Sequence, residues 1–590
     1  MFNPLGKKKK RPNFLILMVD EQRYPTTYET SELKSWRKEH LVTQEALRKN
    51  GIEFLNHYAG STACSPSRTT LYTGQYPSLH GVTQTTGAAK GAFDPDSFWL
   101  HPSTVPTLGD YFRTAGYQTY WKGKWHLSDE DILIPGTHNA LLSFNGTTGI
   151  PNRANEEMYK QSNQLDSYGF TGWIGPEPHG QAPHNSGSSA AAGISGRDQV
   201  YAAEVVELLG ELEKPSSPDM PWLIVASFVN PHDITLYGEL TKDLPTFDFQ
   251  IDSSVPFIQE APTSSESLET KPVAQKSYRD AYQKAFQPTK DTLFYRQLYY
   301  SLHKQVDQEL AKVFTALQET SFYEDTIVLF TADHGSLLGS HGGLFQKWHN
   351  AYEEAIHVPF IIHNPKLFPA SVTSNLLTSH VDIVPTMLGL AGIKVDSVQD
   401  ELRKDHTEVH PLVGKDLTPI VYGKEIDQTD TIYFMSDDEV TRGSNQVTVT
   451  GEPYEAVIQP NHIETVITRL ETGEHKEKEV WKLSRYFDNP QFWSKPGQED
   501  QQSTIKAQVP LTPTQMTTIS MTTTKTEPVN YEFEMYNITK DPCERVNLAN
   551  PSNETIQSKQ IKEQLCSLLE EQRKIKRIYP VSGTVPGNPF

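Results

Sequence analysis

Residues 13–19 (NFLILMV) form an apolar run without the period-two alternation of a half-exposed strand, so they read as a strand covered on both faces inside a parallel sheet. Residues 222–229 (WLIVASFV), 326–331 (TIVLFT) and 358–362 (VPFII) share that character: each is short, rich in β-branched or aromatic side chains, and bounded by turn residues or proline. Helical periods lie between them. Within 292–320, Leu298, Leu302, Val306, Leu310, Val313 and Leu317 recur at helical spacing, which predicts a long helix with one apolar stripe leading into the 326–331 strand. Residues 105–115 read as a second amphipathic helix, stopped at Gly116 and feeding a strand at 117–121. Strand and helix alternate, so the class is α/β, a sheet flanked by helices.

Past about residue 430 the pattern changes to alternating, partly polar strands at 431–435, 446–450, 455–459, 462–470 and 479–486. They predict an antiparallel sheet. A Thr/Gln/Pro-rich stretch, 501–528, separates it from a last helix over 557–576, where Ile561, Leu565, Leu568 and Leu569 form the apolar face. The expected organisation is a large α/β domain over 1–430, with long loop insertions near 138–196 and 236–290, and a smaller α+β domain over 431–590.

Composition narrows the function. Hydrophobic residues make up 36% of the 590, enough for sizeable cores, and the formal net charge of −20 excludes a nucleic-acid binder by bulk charge. Cys64, Cys543 and Cys566 cannot supply a disulfide framework for so long a chain. Lys7 to Lys10 and Arg11 before the first apolar run superficially resemble a secretion signal, but that run is short and stops at Asp20 without a small-residue cleavage site. No other stretch offers about 20 uninterrupted apolar residues. A cytoplasmic, unanchored enzyme with no membrane partner is expected, which leaves the sequons at Asn145, Asn537 and Asn553 without significance.

In an open α/β sheet ligands gather outside the carboxyl ends of the strands, and here those ends are ionisable. The first strand runs into Asp20-Glu21, and the 117–121 strand into Lys122-Gly123-Lys124-Trp125-His126. The 222–229 strand runs into Asn230-Pro231-His232-Asp233, and the 326–331 strand into Asp333-His334. Alone, each reads equally as a cap or a solvated charge; together they favour a site. Asp20, Glu21, Asp333 and His334 would form a mainly oxygen-donor set for a hard divalent cation, Ca²⁺ or Mg²⁺, with Mn²⁺ favoured by the imidazole and zinc less suited. Trp125 between Lys124 and His126 predicts strand alternation that aims both polar groups to one side.

Residues 62–74 (TACSPSRTTLYTG) carry the strongest signal. Cys64, Pro66, Ser67 and Arg68 match the Cys-X-Pro-Ser-Arg signature, and Leu-Tyr-Thr-Gly follows, so the chain resembles the type I, formylglycine-dependent sulfatases of the alkaline phosphatase superfamily. The likeness continues in order through Asp20, Gly123-Lys124-Trp125-His126, Pro231-His232, Asp333-His334-Gly335, Lys347 before Tyr352-Glu353-Glu354, residues 381–386 and residues 535–549. Many sulfatases have Asp where this chain has Glu21 and Asn where it has His334; the Asp-His pair is nearer the choline sulfatase and phosphonate monoester hydrolase branch. The resemblance implies an alkaline-phosphatase-like fold with a large mixed, mostly parallel sheet, and makes 1–430 the catalytic domain.

It also implies an arylsulfatase-like hydrolase that cleaves a small-molecule sulfate monoester to alcohol and sulfate. Cys64 would be oxidised by a formylglycine-generating enzyme before folding; the aldehyde hydrates to a diol, one hydroxyl of which attacks sulfur. Asp20, Glu21, Asp333, His334 and residue 64 itself would hold one cation, Ca²⁺ first. Arg68, Lys124 and Lys347 would supply fixed positive charge, His232 and Lys347 would protonate the leaving oxygen, and His126 would take the second diol proton so that sulfate is expelled by elimination. A free cysteine is commonly just a small buried hydrophobe, a reading that suits Cys543 and Cys566 but not Cys64 in its motif. Two alternatives stand: a phosphonate monoester or phosphodiester hydrolase using the same site, and an inactive binding protein on the same scaffold. His80, His349 and His357 are expected to be structural.

Overall fold

The strand β1 (Asn13–Asp20) is buried along its whole length because it lies mid-sheet with packed layers on both faces. Phe14, Ile16 and Met18 point into one core, shared with Leu71 and Tyr72 of helix α1 (Cys64–Thr73), Phe112 of α2 (Leu108–Thr114), and Met387 and Leu388 further along the chain. Leu15, Leu17 and Val19 point into the other, against Val306, Leu310, Val313 and Leu317. This two-sided burial is the physical content of the unbroken apolar run. The protein is described by a computed structural model over residues 11–178, 185–187, 196–424, 431–488 and 529–581, apart from 88, 96, 219, 474 and 476.

The large sheet has seven strands in the order β3-β4-β1-β5-β6-β2-β7, with β2 at Gly51–Tyr58, β3 at Gln118–Gly123, β4 at Trp222–Pro231, β5 at Thr326–Ala332, β6 at Phe360–His363 and β7 at Val372–Ser379. β3, β4, β1 and β5 are mutually parallel, β6 runs antiparallel to both its neighbours, and β2 pairs parallel with β7. The sheet is therefore mixed and mostly parallel, as expected, and the carboxyl ends of β1, β3, β4 and β5 share one edge. Helices α4 (Arg197–Leu212) and α6 (Leu293–Gln318) cover the face that carries Leu15. Thr292 starts α6 by accepting the Tyr295 backbone N–H at 3.1 Å.

The second sheet is antiparallel, in the order β11-β10-β9-β8, from β8 (Thr431–Ser436), β9 (His462–Glu471), β10 (Lys478–Phe487) and β11 (Glu532–Asn537). Its alternation is two-sided. Ile432, Phe434, Ile463 and Ile467 face the main body, whereas Tyr433, Met435, Val466 and Leu483 pack against Leu565 and Leu569 of the last helix, α7 (Ile556–Lys576). A strand with apolar residues on both faces is what a sheet sandwiched between body and helix requires.

Four expectations need correction. Residues 446–450 and 455–459 are not strands: the segment turns at Gly451, with φ +86°, and meets itself only at the Val447–Pro453 bridge. Val447 and Val449 line a cavity and Ile458 faces solvent, while Val457 packs into the core beneath the small sheet without forming a strand. The stretches 138–196 and 236–290 are not plain loops, since they contain α3 (Arg153–Ser162) and α5 (Val273–Ala285). Helix α5 escapes a hydrophobic count because it buries Tyr278, Ala281, Tyr282 and Gln275. Lys124 and His126 are not in strand alternation; β3 ends at Gly123, and left-handed Gly123 and His126 turn the chain. Finally, β2, β7 and β11 are strands that the apolar pattern does not reveal. The stretch 501–528 lies outside the described residues. Among the described residues no helix is long and apolar enough to cross a membrane.

Candidate active site

Every sequence-derived candidate arrives at one edge of the large sheet. Asp20 ends β1, and the register with β4 shifts between Met18 and Asp20, where the paired backbones diverge toward Pro231. Glu21 follows in the left-handed region, φ 70°. Its backbone N–H donates to Asp333 Oδ1 at 3.0 Å, tying the end of β1 to the residue that follows β5. Cys64 is the first residue of α1, and Arg68, one turn on, lies on the same helical face.

Arg68 organises the acids. Its Nε donates to Asp333 Oδ2 at 2.8 Å and its Nη2 to Asp20 Oδ2 at 3.0 Å, while Nη1 reaches Ser227 Oγ at 2.8 Å and the Lys124 carbonyl at 3.1 Å. Lys124 Nζ donates to Asp20 Oδ2 at 2.6 Å, and Lys347 Nζ to Glu21 Oε2 at 3.1 Å. Ser67 Oγ donates to the Asp333 carbonyl at 2.5 Å. All of these side chains are buried, so each charge requires its partner.

Electrostatics follow from that crowding. Burial alone would raise the Asp20 carboxyl, but Lys124, then His232, Arg68 and His334, hold it well below its ordinary value. For Glu21 burial wins and the carboxyl is raised, with Lys347 opposing. Burial works against the charge on Lys124, yet Asp20 raises it; for Lys347, Cys64 and Glu21 overcome the same penalty. The Cys64 thiol is pushed up to about 12, first by burial and then by the Asp20 charge, so the unmodified side chain is a neutral thiol near pH 7. His232 is held well below its usual value by burial and by Lys124.

Donor atoms of Asp20, Cys64, Asp333 and His334 lie within 4.8 Å of one another, and so do those of Asp20, Glu21 and His232. Cys64 Sγ is 3.2 Å from His334 Nε2 and 3.8 Å from Asp20 Oδ1. His334 Nδ1 sits 3.0 Å from the Gly335 carbonyl, which fixes the proton on Nδ1 and leaves Nε2 with its lone pair toward Cys64. Glu21 Oε1 is buried without a hydrogen-bond partner. An orphaned carboxylate oxygen and an imidazole lone pair, each grouped with Asp20, fit a cation with mainly oxygen ligands. Glu21 stands in the second of the two donor groups, apart from Asp333, so it is the outlying member of the predicted set.

Above Cys64 opens a cavity of about 480 Å³, whose floor includes Lys124, His126, His232 and Lys347. His126 Nε2 lies 3.2 Å from Thr86 Oγ1. Lys347 is delivered by a turn in which Gln346 and His349 both adopt left-handed backbone, φ 59° and 58°. The remaining histidines take structural places: His80 pairs with Thr70 Oγ1 at 3.1 Å, His357 stacks on Tyr24 and Tyr58, and His349 stands 3.7 Å from Glu439. Sequence reasoning missed Asp438, which accepts backbone N–H groups from Ala63 and Thr85 and the indole N–H of Trp348. In the run Asp437-Asp438-Glu439 it looks like any solvated acid. Ser227 and His380, behind Arg68 and Ser67, carry no sequence signal either.

The chain as a whole is similar to known proteins in sequence and fold. The chain is 28% identical over 393 residues to "Uncharacterized sulfatase YidJ" of Escherichia coli (strain K12), covering 65% of this chain and 69% of that one. It is 26% identical over 439 residues to the choline-sulfatase of Rhizobium meliloti (strain 1021), covering 70% and 72%. In fold it resembles the crystal structure of the phosphonate monoester hydrolase of Agrobacterium radiobacter, at 19% identity and a TM-score of 0.55 over 95% of this chain and 96% of that one. The Sulfatase family profile matches residues 12–393, a span that begins just before β1 and takes in each strand end described above, and the chain is accordingly a sulfatase, an enzyme of that family.

Proposed function

We propose that the protein hydrolyses a sulfate monoester to an alcohol and sulfate, using a formylglycine derived from Cys64. The observation that carries this reading is the position of Cys64 at the cavity floor, beside Lys124 and Lys347 and backed by Arg68. Asp20, Asp333, His334 and Glu21 would hold one cation, for which Ca²⁺ is proposed because oxygen donors dominate. A bound cation and a formylglycine at residue 64 would together supply an activated oxygen nucleophile.

The chain's own residues do the rest. Arg68 fixes Asp20 and Asp333 so that both carboxylates keep their direction. Lys124 and Lys347 offer positive charge to the sulfate oxygens, where negative charge grows as the ester bond breaks. His232 and Lys347 serve the departing oxygen. An incoming sulfate monoanion adds the negative charge that favours protonation of His232, offsetting the burial and the Lys124 charge that keep it neutral in the free protein. His126, on the cavity floor, is the base for the second half of the reaction. Maturation implies a formylglycine-generating enzyme as a transient partner.

Paired assays decide the reaction class. Protein produced with a formylglycine-generating enzyme is offered 4-nitrophenyl sulfate, a 4-nitrophenyl phosphonate and bis(4-nitrophenyl) phosphate, which share one leaving group. The expected result is the highest kcat/KM on the sulfate and none from Cys64→Ala. A higher value on either phosphorus ester overturns the assignment in favour of a phosphonate monoester or phosphodiester hydrolase.

A further inference from the structure

The walls of the cavity, as distinct from its floor, are uncharged. Among the described lining residues there is no Asp, Glu or Arg, and the only lysines are Lys124 and Lys347, already held at 2.6 and 3.1 Å by Asp20 and Glu21. The upper wall is apolar. Leu236, Leu240 and Phe247 come from the segment after β4, Phe286 follows α5, Trp348 follows Lys347, and Val449 comes from the segment between β8 and β9. Four separate stretches of chain thus present hydrophobic side chains to one opening. Two of these residues stay unusually exposed for their type, Leu240 at 43% and Val449 at 72%. Apolar side chains that converge at a cavity mouth mark a surface meant to be covered by a ligand.

Five polar side chains of the wall are bonded within the protein. Thr241 Oγ1 donates to the Leu236 carbonyl at 2.5 Å, and Gln287 Nε2 to the same carbonyl at 3.0 Å. Gln346 Nε2 donates to the Tyr282 hydroxyl at 2.9 Å, and Trp348 Nε1 to Asp438 Oδ2 at 2.9 Å. Thr448 Oγ1 lies 2.8 Å from Thr450 Oγ1. A polyhydroxylated ligand needs directed partners for each hydroxyl it desolvates, and these groups are spent on internal bonds. The aromatic members hold their faces in place by stacking: Phe286 on Trp348 at 5.5 Å and Phe247 on Phe249 at 5.4 Å.

We infer that the alcohol portion of the substrate is an uncharged group with an apolar body, a single ring or fused pair, and neither a sugar, a polysulfated glycan nor a quaternary ammonium alcohol. Among the described lining residues a second sulfate finds no Arg, and a cationic alcohol finds no carboxylate; aromatic faces could hold a cation instead, but Phe286 stacks on both Tyr282 and Trp348, and the Lys347 ammonium already stands over the Trp348 ring at 4.9 Å. This inference rests on the sulfatase reading, so its test separates the two.

Binding is measured calorimetrically on the Cys64→Ala protein, which cannot turn substrate over, with cyclohexylmethyl sulfate, D-glucose 6-sulfate and choline sulfate. All are primary alkyl sulfates, so the sulfate-binding floor sees the same group. One methylene in an apolar pocket discriminates by about 10-fold or more. Cyclohexylmethyl sulfate is therefore expected to bind at least about tenfold more tightly than the other two, and Phe247→Ala to erase most of that margin while leaving D-glucose 6-sulfate unchanged. Equal affinities, or tighter binding of the sugar or choline ester, overturn the inference. Turnover of the three esters by matured protein is scored apart from this: failure to cleave any sulfate ester counts against the reaction class, whereas the affinity order alone decides the pocket.

Discussion

The carboxylate of Asp438, on the segment that follows β8, accepts the backbone N–H of Ala63 at 3.2 Å, one residue before Cys64. The same oxygen accepts the Trp348 indole N–H at 2.9 Å, and the other oxygen accepts the Thr85 backbone N–H at 3.0 Å. One side chain from the small-sheet region thus joins the start of α1, the loop beside His126, and the residue after Lys347. Asp438→Ala leaves those donors buried and unpaired, at roughly 1–3 kcal/mol each. The expected outcome is a fall of several kcal/mol in urea stability and a loss of kcat larger than any rise in KM. Asp438→Asn keeps acceptor oxygen and should lose less on both counts. An alanine variant with wild-type kcat would remove Asp438 from any positioning role.

Chelation should abolish activity without unfolding the chain. Asp20 and Asp333 are bridged by Arg68, and Asp20 also meets Lys124, so the acids keep buried partners when no cation is bound. After EGTA treatment the near-UV circular dichroism is expected to persist, with Tm lowered by a few degrees and activity restored by added Ca²⁺. Elemental analysis should find one cation per chain in the untreated protein and none in Asp333→Asn. Full metal content in that variant would disprove the ligand set.

The strands that build the floor of the site were legible because β1, β4 and β5 are buried on both faces and spell that out as unbroken apolar runs. Strand β7 was not, since its VTSNLLTS lies at the sheet edge and is half exposed. Strand β2 carries Glu53, Asn56 and His57 amid its apolar residues, which blurs the same signal. The residues at the floor were legible through the Cys64–Arg68 motif and the strand ends. The walls were not: Leu240, Phe247, Phe286 and Val449 come from stretches with no motif, and only three-dimensional convergence reveals them. Asp438 fell between the two, a motif-free acid whose partners are distant in sequence.

His341 gives the fold a defined alkaline limit. Its Nε2 is 3.3 Å from Glu354 Oε2 and its Nδ1 is 3.5 Å from Glu266 Oε2; Glu544 belongs to the same buried group, and Lys271 also bears on it. Burial opposes the imidazolium, but the Glu354 charge and hydrogen bond, with the Glu266 carboxylate close to Nδ1, outweigh it and lift His341 from 6.5 to about 9. A folded-state value above the unfolded one contributes stability that is complete below about pH 6.5 and lost as pH rises through about 9, on the order of 2–3 kcal/mol. Glu544, pushed up to about 7 chiefly by burial, adds a loss of the same sign at lower pH, between the ordinary carboxyl range and 7. Urea midpoints taken from pH 6.5 to 9.5 should therefore decline in the native chain. His341→Gln should be less stable at pH 6.5 and flatter across that window; parallel curves would rule the histidine out as the titrating group.

His126 and His232 should fail in opposite ways, because they approach the floor from different elements, His126 from the turn after β3 and His232 from the turn after β4. If His232 protonates the departing oxygen, its loss matters most for alcohols that leave poorly and little for 4-nitrophenol, which departs without a proton. The slope of log kcat/KM against leaving-group pKa should steepen in His232→Ala. If His126 acts only after the alcohol has gone, His126→Ala should release about one equivalent of alcohol in a rapid burst and then turn over slowly, with kcat independent of the leaving group. In His232→Ala, Asp20 retains Arg68 and Lys124; in His126→Ala, the Thr86 hydroxyl loses its contact with Nε2. Quenched-flow measurement over a series of substituted phenyl sulfates reads both effects in one experiment. Equal losses across the series, with no burst in either variant, would mean that the two histidines only position the ester and that the proton transfers belong elsewhere.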